Sequence, residues 1–426
     1  MSHYAVVAPP LYSHVRALEA LAGALIARGH QITFVQQADA QTLLNDKRIG
    51  FYAVGAETHP AGSLAATLRL LANPSGLSIR RIIADLAATT DMLCRELPVA
   101  LEKLNIDGLI VDQMEAAGGI VAEALGLPFV SVACALPVNR EPGVPLPVMP
   151  FDYATDERAR RLYEASKKVY DWLMRGHGRI IALHARRFGL SPRDALHNCL
   201  SPLAQISQTI PELDFPRQTL PACFHAVGPL RLAPAADDQP GFLPSQSARP
   251  LIFASLGTLQ GHRYGLFRTL ARACRRVDAE LLIAHCGGLS EAQAARLKAH
   301  GAAHVTDFAN QQQMLRQAQV VITHGGLNTV MDAIVNRTPV LAVPIAFDQP
   351  GVAARVTYHG LGRRVSRFAG SDAVAHNLKQ LLYDERYRNN MAALRPAIQR
   401  AGGVELAADI VERALCERRA IIAEAR

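Results

Sequence analysis

A chain of 426 residues, 50 % hydrophobic and 19 % charged, has the balance of a globular protein of two or three domains and not of a disordered one. Its 45 lysines and arginines exceed its 37 aspartates and glutamates, and the net charge of +8 favours an anionic partner, although no basic stripe interleaved with aromatics marks a nucleic-acid surface. No apolar run reaches the roughly 18 residues of a membrane span, and seven scattered cysteines without a CxxC pair read as reduced thiols of a cytoplasmic protein.

The N-terminus, MSHYAVVAPPLYSHVRALEALAGAL, lacks a basic leader and is cut by two prolines, so it reads as a strand and a helix rather than a signal peptide. Tyr4 to Ala8 forms the strand, and Ala17, Leu18, Leu21, Ala22 and Leu25 keep helical spacing until Gly29 stops them. A second strand covers Gln31 to Gln36. DGLIVDQ (107–113), AAGGIVAEALG (116–126) and PFVSVACA (128–135) then repeat strand, helix, strand. Continuous apolar strands alternating with helices predict a parallel sheet covered on both faces. Residues 136–200 break this rhythm with a proline-rich loop and charged helical segments, and are expected to be an insertion that shapes a binding cleft.

The first domain is therefore set at 1–230, and a proline, alanine and polar linker at 231–250. A second α/β unit of similar build occupies 251–403: strand LIFASLG, a helix around LFRTLARACRRV, then strands ELLIAHC, HVTDFA, VVITHGG and PVLAVP with their helices. Residues 404–426 read as a helical, basic segment expected to pack back on the first domain. Neither half carries GxGxxG after its first strand, which disfavours a dinucleotide-dependent dehydrogenase.

In VVITHGGLNTVMDAI the strand must deliver Thr323 to Gly326 to the carboxyl edge of the sheet, where open parallel sheets bind ligands. Gly325 and Gly326 allow close approach to the backbone, and the following helix N-terminus attracts an anion. Leu327, Val330, Met331 and Ile334 make a core stripe, which leaves Asn328, Thr329 and Asp332 on a polar side. A diphosphate could meet His324 and Thr329, with Asp332 facing a sugar hydroxyl; a tight turn with a packed histidine is the alternative. Asp348 and Gln349 could grip vicinal sugar hydroxyls or merely cap a helix. Phe308, with Gln311 beside it, could stack on a base or belong to the core, and Ser255, Gly257 and Thr258 could bind phosphate or form a plain turn. His14 reads as a cleft base or a solvated loop residue, and Asp112 as its partner or a helix N-cap.

The ordered set SLGT, FANQ, THGGLNTVMDA and FDQP resembles the donor half of the family 1 nucleotide-sugar glycosyltransferases, and APPLYSHVRALEALAGALIARGHQITFV resembles their opening strand, histidine loop and helix. The resemblance implies a GT-B fold: two facing Rossmann-like, doubly wound α/β domains with a cleft between them. It also implies an inverting transfer of glucose from UDP-glucose without a metal ion or other cofactor. By it, His324 and Thr329 meet the diphosphate, Asp332 the ribose, Phe308 and Gln311 the uracil, and Asp348 with Gln349 the hexose; His14 is the general base and Asp112 its partner. Phe308, Asn310 and Asp332 stand where the plant-type pattern has Trp, Pro and Glu, and leave the same contacts possible.

A closer likeness, in DQMEAAGGIVAEALGLPFVSVACALPVNREPG and SLGTLQGHRYGLFRTLARAC, is to the carotenoid-glycosylating members of this family and implies a carotenoid diol as acceptor. Other apolar acceptors of macrolide, sterol or flavonoid type, a nucleotide-sugar epimerase and a non-catalytic UDP-sugar-binding protein are the alternatives. An acceptor confined to membrane raises the expectation of peripheral contact with the inner face of the cell membrane, through segments 163–189 or 63–86, both amphipathic and basic.

Overall fold

The structure is a computed structural model that describes residues 1–74, 76–231 and 248–423, with the backbone alone for Leu77. Of the predicted linker 231–250, residues 232–247 lie outside the described residues. Strands β1 His3–Val7, β2 Gln31–Gln37, β3 Gly50–Val54, β4 Gly108–Asp112, β5 Phe129–Ala133, β6 Gln205–Ser207 and β7 Phe224–Ala226 form a parallel sheet in the order β3-β2-β1-β4-β5-β6-β7. Strands β8 Leu251–Ser255, β9 Glu280–Ala284, β10 His304–Thr306, β11 Val320–Thr323, β12 Val340–Ala342 and β13 Gly362–Arg364 form a second parallel sheet, β10-β9-β8-β11-β12-β13. The central strands are buried along their length, as sheets covered by helices on both faces require.

Four strands escape a reading by apolar runs. GFYAV (β3) is an edge strand with most residues partly exposed, QIS (β6) and FHA (β7) are three residues long, and GRR (β13) is mostly basic. The irregular region 136–200 resolves into a loop and a 31-residue helix, Glu157–Arg187. Asp156 caps it by accepting from the Ala159 amide, and Arg186 and Arg187 sit at its carboxyl end, where the helix dipole favours cations. It packs on the long helix Gly76–Lys103. No helix among the described residues is long and apolar enough to cross a membrane.

The C-terminal helix Gly403–Glu417 lies against helix Tyr12–Ala27, with Ala407, Ala408, Ile410, Val411, Ala414 and Leu415 in the core of the first domain. Burial of Ile410, Val411 and Leu415 is worth about 1.5–3 kcal/mol each. Contrary to the basic character expected of this segment, its docked side is acidic: Glu405, Asp409 and Glu412, at helical spacing, converge on Arg28. The basic residues Arg418 and Arg419 follow the helix.

The two domains are clamped through a buried ion pair. Arg355, on helix Gln349–Tyr358 of the second domain, donates from Nε to Asp214 Oδ1 at 2.7 Å, stacks 4.2 Å over Phe215, and shares Asp214 with Arg217 at 3.0 Å. Burial works to raise the Asp214 carboxyl, but Arg355 and Arg217 hold it below the usual carboxylate range. Removing one partner of such a pair leaves a buried, uncompensated charge, so Asp214→Ala should cost about 3–5 kcal/mol in chemical denaturation. Because the folded carboxyl is depressed, its contribution is complete above its unfolded value near 3.9 and is lost as pH falls through the lower folded value. The wild-type advantage over the variant should therefore shrink only below about pH 4.

Candidate active site

In the first sheet the winding direction reverses between neighbours β1 and β4, whose register pairs Val7 with Val111. The loop after β1 and the end of β4 therefore emerge side by side and open a crevice at the carboxyl edge. The loop leads into helix Tyr12–Ala27, whose first turn carries His14; Asp112 ends β4. Their side chains meet, with His14 Nδ1 at 2.7 Å from Asp112 Oδ2, while Asp112 Oδ1 accepts from the Met114 amide at 2.8 Å. Asp112 has no exposed surface and can only accept when ionised, so Nδ1 carries the proton and Nε2 remains without a partner among the described residues. Burial works to lower the His14 pKa, but the charge and hydrogen bond of Asp112, with the Asp348 carboxylate, outweigh it and raise the value above that of an ordinary histidine. The N-cap of the next helix is Glu115, not Asp112.

Cys134 lies beside this pair, its thiol held up by burial. Among the described residues, His14, Asp112 and Cys134 alone group His, Cys and acidic side chains closely enough to share a metal ion, their ligand atoms lying within 4.8 Å of one another.

The second sheet reverses in the same way between β8 and β11, where Ser255 pairs with Thr323. Gly257 and His324 follow these two strand ends. The glycines here seat the histidine ring more than they clear space for a ligand. A Cβ on Gly257 would stand 2.7 Å from His324 Cε1, and one on Gly326 would stand 2.8 Å from Nε2, while φ of +74° at Gly257 and +87° at Gly325 suits glycine in any case. Burial pulls His324 down to about 4, so the ring is neutral at pH 7. Helix Leu327–Asn336 begins at Gly326 without a side-chain cap, which leaves its first amides available to an anion.

Behind this helix tip a polar chain runs inward. Thr329 Oγ1 donates to Gln311 Oε1 at 3.2 Å, Gln311 Nε2 donates to Asp332 Oδ2 at 2.6 Å, and Arg231 Nη2 reaches Asp332 Oδ1 at 2.9 Å and the Asn328 carbonyl at 2.9 Å. Burial lifts the Asp332 carboxyl more than these partners lower it. Asp332 is 4 % exposed and does not line the cleft, and both its oxygens are occupied by protein partners, Gln311 and Arg231. Arg231 was missed because LRLAP reads as the start of a linker; no local signal marks it.

Phe308 is 70 % exposed at the cleft, so the core alternative for it falls. Ser255 and the exposed Thr258 line the same space. Asp348 Oδ2 accepts from the Leu136 amide of the other domain at 3.2 Å, and Gln349 Oε1 accepts from the amides of Ile345 and Ala346 at 2.9 and 2.8 Å. Burial lifts the Asp348 carboxyl, with the Leu136 amide and His14 opposing.

His14, Ser255, Gly257, Thr258, Phe308, Gln311, His324, Gly326, Asn328, Thr329, Asp348 and Gln349 border one cavity of about 1200 Å³ between the carboxyl edges of the two sheets, while Asp112, Gly325 and Asp332 lie outside its lining. On the first-domain side Leu64, Leu71, Ile83, Leu86, Met174 and Leu196 build an apolar part of its wall, bordered by charged residues such as Asp85, Arg140, Arg175 and Asp194. Leu64, Leu71, Ile83 and Leu86 belong to the amphipathic segment 63–86, so that segment turns apolar side chains toward the cavity. A buried polar cluster adjoins the apolar part of the wall. Glu115, pushed up to about 7 by burial, accepts from Thr90 Oγ1 at 2.9 Å, and His177 Nε2 lies 3.0 Å from the same hydroxyl.

Residues 195–399 match the family model described as UDP-glucoronosyl and UDP-glucosyl transferase. The chain is 57 % identical to a zeaxanthin glucosyltransferase of Pantoea ananas, with 98 % of this chain and 96 % of that protein covered. It is 53 % identical to a zeaxanthin glucosyltransferase of Pseudescherichia vulneris, covering 97 % and 98 %. The solved glycotransferase of kitacinnamycin superposes with a TM-score of 0.76 at 19 % identity over 97 % of this chain and 99 % of that one, and the fold is GT-B. The chain belongs to the UDP-glucoronosyl and UDP-glucosyl transferase family and is a UDP-dependent hexosyltransferase.

Proposed function

We propose that this protein moves glucose from UDP-glucose to a hydroxyl of zeaxanthin, with inversion at the anomeric carbon, His14 as general base and no metal ion. The acceptor and the glucosyl group follow the names of the two relatives, and the UDP carrier follows the family description. The observation that carries the mechanism is the buried His14–Asp112 pair, whose free Nε2 opens on the cavity that His324 and Thr329 border from the other domain.

An alcohol is a weak nucleophile near neutral pH, and an imidazole within hydrogen-bond reach is the base best matched to it. His14 Nε2 takes the hydroxyl proton as the acceptor oxygen bonds to the anomeric carbon and the bond from that carbon to the UDP oxygen breaks. Asp112 holds the tautomer and stabilises the imidazolium that forms. With acceptor and donor on opposite walls, the oxygen attacks from the side away from the leaving diphosphate, which inverts the centre.

Negative charge developing on UDP is met by the amides at the start of helix Leu327–Asn336, an N–H of neutral His324 and the hydroxyls of Thr258 and Ser255, joined by Thr329 once its hydroxyl turns from Gln311. These donors take the place that a metal would fill in a metal-dependent enzyme. Exposed Phe308 offers its face to uracil, with Gln311 beside it. Asp348 and Gln349 Nε2, which has no hydrogen-bond partner among the described residues, serve the hexose. A ribose reaching Asp332 exchanges places with Arg231. The apolar wall suits a polyene end group.

Purified protein given UDP-glucose and zeaxanthin in detergent, with EDTA present, should add hexose to the carotenoid by mass spectrometry; a metal requirement or absence of transfer rejects the reading. His14→Ala should lower kcat at least about 100-fold while UDP affinity by calorimetry stays within about twofold. The base must be neutral, so kcat/KM should fall as pH drops through the raised His14 value. Asp112→Asn removes the charge that raises it, and should move that midpoint to lower pH as well as reduce kcat. Gly326→Ala forces a methyl onto the His324 ring, a strain of about 1–3 kcal/mol, and should weaken UDP binding at least about fivefold.

A further inference from the structure

We infer that the outer face of helix Glu157–Arg187 docks on an anionic lipid bilayer and sets the mouth of the acceptor cavity against the membrane. The inference rests on the reading that the acceptor is a membrane-borne carotenoid. This helix is amphipathic twice. Its inner side buries Tyr163, His177, Ile181 and Ala185 against the domain, and Tyr170 and Met174 border the cavity. Its outer side should be polar, yet Leu162, Val169, Trp172, Leu173 and Leu183 recur there on one helical face, with Val169 57 % and Trp172 55 % exposed.

Beside that stripe runs a second one. Arg161, Lys168, Arg175, Arg179 and Arg186 recur at intervals of seven, seven, four and seven residues, which keeps them on one adjoining face of an α-helix. Arg175 lies 5.1 Å over the Trp172 ring. An apolar stripe bearing a tryptophan with a row of cations along it is the arrangement that lies in a membrane interface, the apolar side chains among acyl chains and the cations at anionic headgroups. Charge complementarity therefore names the occupant: a bilayer with negative lipid.

The stripe is also continuous with the acceptor space. Gly176 lies on the exposed face, and a Cβ there would stand 3.8 Å from Ile83, a residue of the cavity wall; Arg175 and Arg179 border the cavity themselves. A carotenoid leaving the acyl layer beside Trp172 passes into the cleft without crossing bulk water, which its length of apolar surface would otherwise oppose.

The test is flotation of the full chain with phosphatidylglycerol/phosphatidylethanolamine vesicles and with phosphatidylcholine vesicles, using Trp172→Ser with Leu173→Ser, and separately Arg161→Glu with Lys168→Glu and Arg186→Glu. The wild type should float with the anionic vesicles only, and each variant should lose at least about tenfold in bound fraction. Transfer of hexose to detergent-dispersed zeaxanthin should stay unchanged in both variants, while transfer to vesicle-embedded zeaxanthin falls with binding. A wild type that stays at the bottom, or variants that float as it does, overturns the inference. So does a dimer in sedimentation that dissolves with the same substitutions, since it gives the face to a second copy. Transfer in detergent without flotation overturns docking and leaves the proposed function standing; flotation without transfer supports docking and rejects the function.

Discussion

The reversal of winding at one point in each parallel sheet is the constraint on which the site depends. A parallel sheet gathers every strand's carboxyl end along one edge, but only where neighbouring strands send their connections in opposite directions does a crevice remain. In the first sheet that point brings the loop after β1 beside the end of β4, and so His14 beside Asp112, although 98 residues separate them in sequence. In the second it brings Gly257 beside His324. The two crevices face each other across one cavity, and the Arg355–Asp214 clamp ties the domains through the helix that begins at the cavity-lining Gln349.

Two histidines at these points illustrate how environment divides roles that the side chain alone leaves open. His14 and His324 both lie deep, and burial works to lower both. At His14 a carboxylate in direct contact, with a second nearby, outweighs burial, so the ring has the affinity for a proton that a base needs. At His324 no carboxylate opposes burial, and the ring stays neutral, an N–H donor that adds no positive charge of its own. Pairs of titratable groups pushed in opposite directions are how one fold separates proton transfer from charge stabilisation.

The sequence made readable what repeats or ends strongly: the long apolar strands, the helices with a clean core stripe, and the residues that terminate those strands. His14, Asp112 and His324 fall in that class, because a strand of known polarity fixes which edge its last residue reaches. Short polar strands such as GRR have no such pattern; they pair because tertiary neighbours supply what their own side chains do not. Spacing placed Asp332 on the polar side of its helix, but whether that side meets ligand or protein depends on Arg231, a contact across 101 residues that leaves no local trace. The glycines were readable as a need for small residues, while their reason, a histidine ring between Gly257 and Gly326, required two distant loops to be seen together.

The acceptor side differs in kind from the donor side. Diphosphate, ribose and base present the same charges and hydrogen-bonding groups in every UDP-sugar, so a fixed set of strand ends and one helix tip can recognise them, and short motifs record the fact. An apolar acceptor is recognised by shape and by exclusion of water, which any well-placed leucine or isoleucine provides, and so the wall built by Leu64, Leu71, Ile83 and Leu86 carries no motif. The same wall has an electrostatic consequence. By limiting water in the cavity it lowers the local dielectric, which strengthens the attraction of Asp112 that raises the histidine's proton affinity, while the same loss of hydration works to lower it. On the proposed mechanism, a cavity lined to hold a greasy alcohol thus also conditions the base that would activate it.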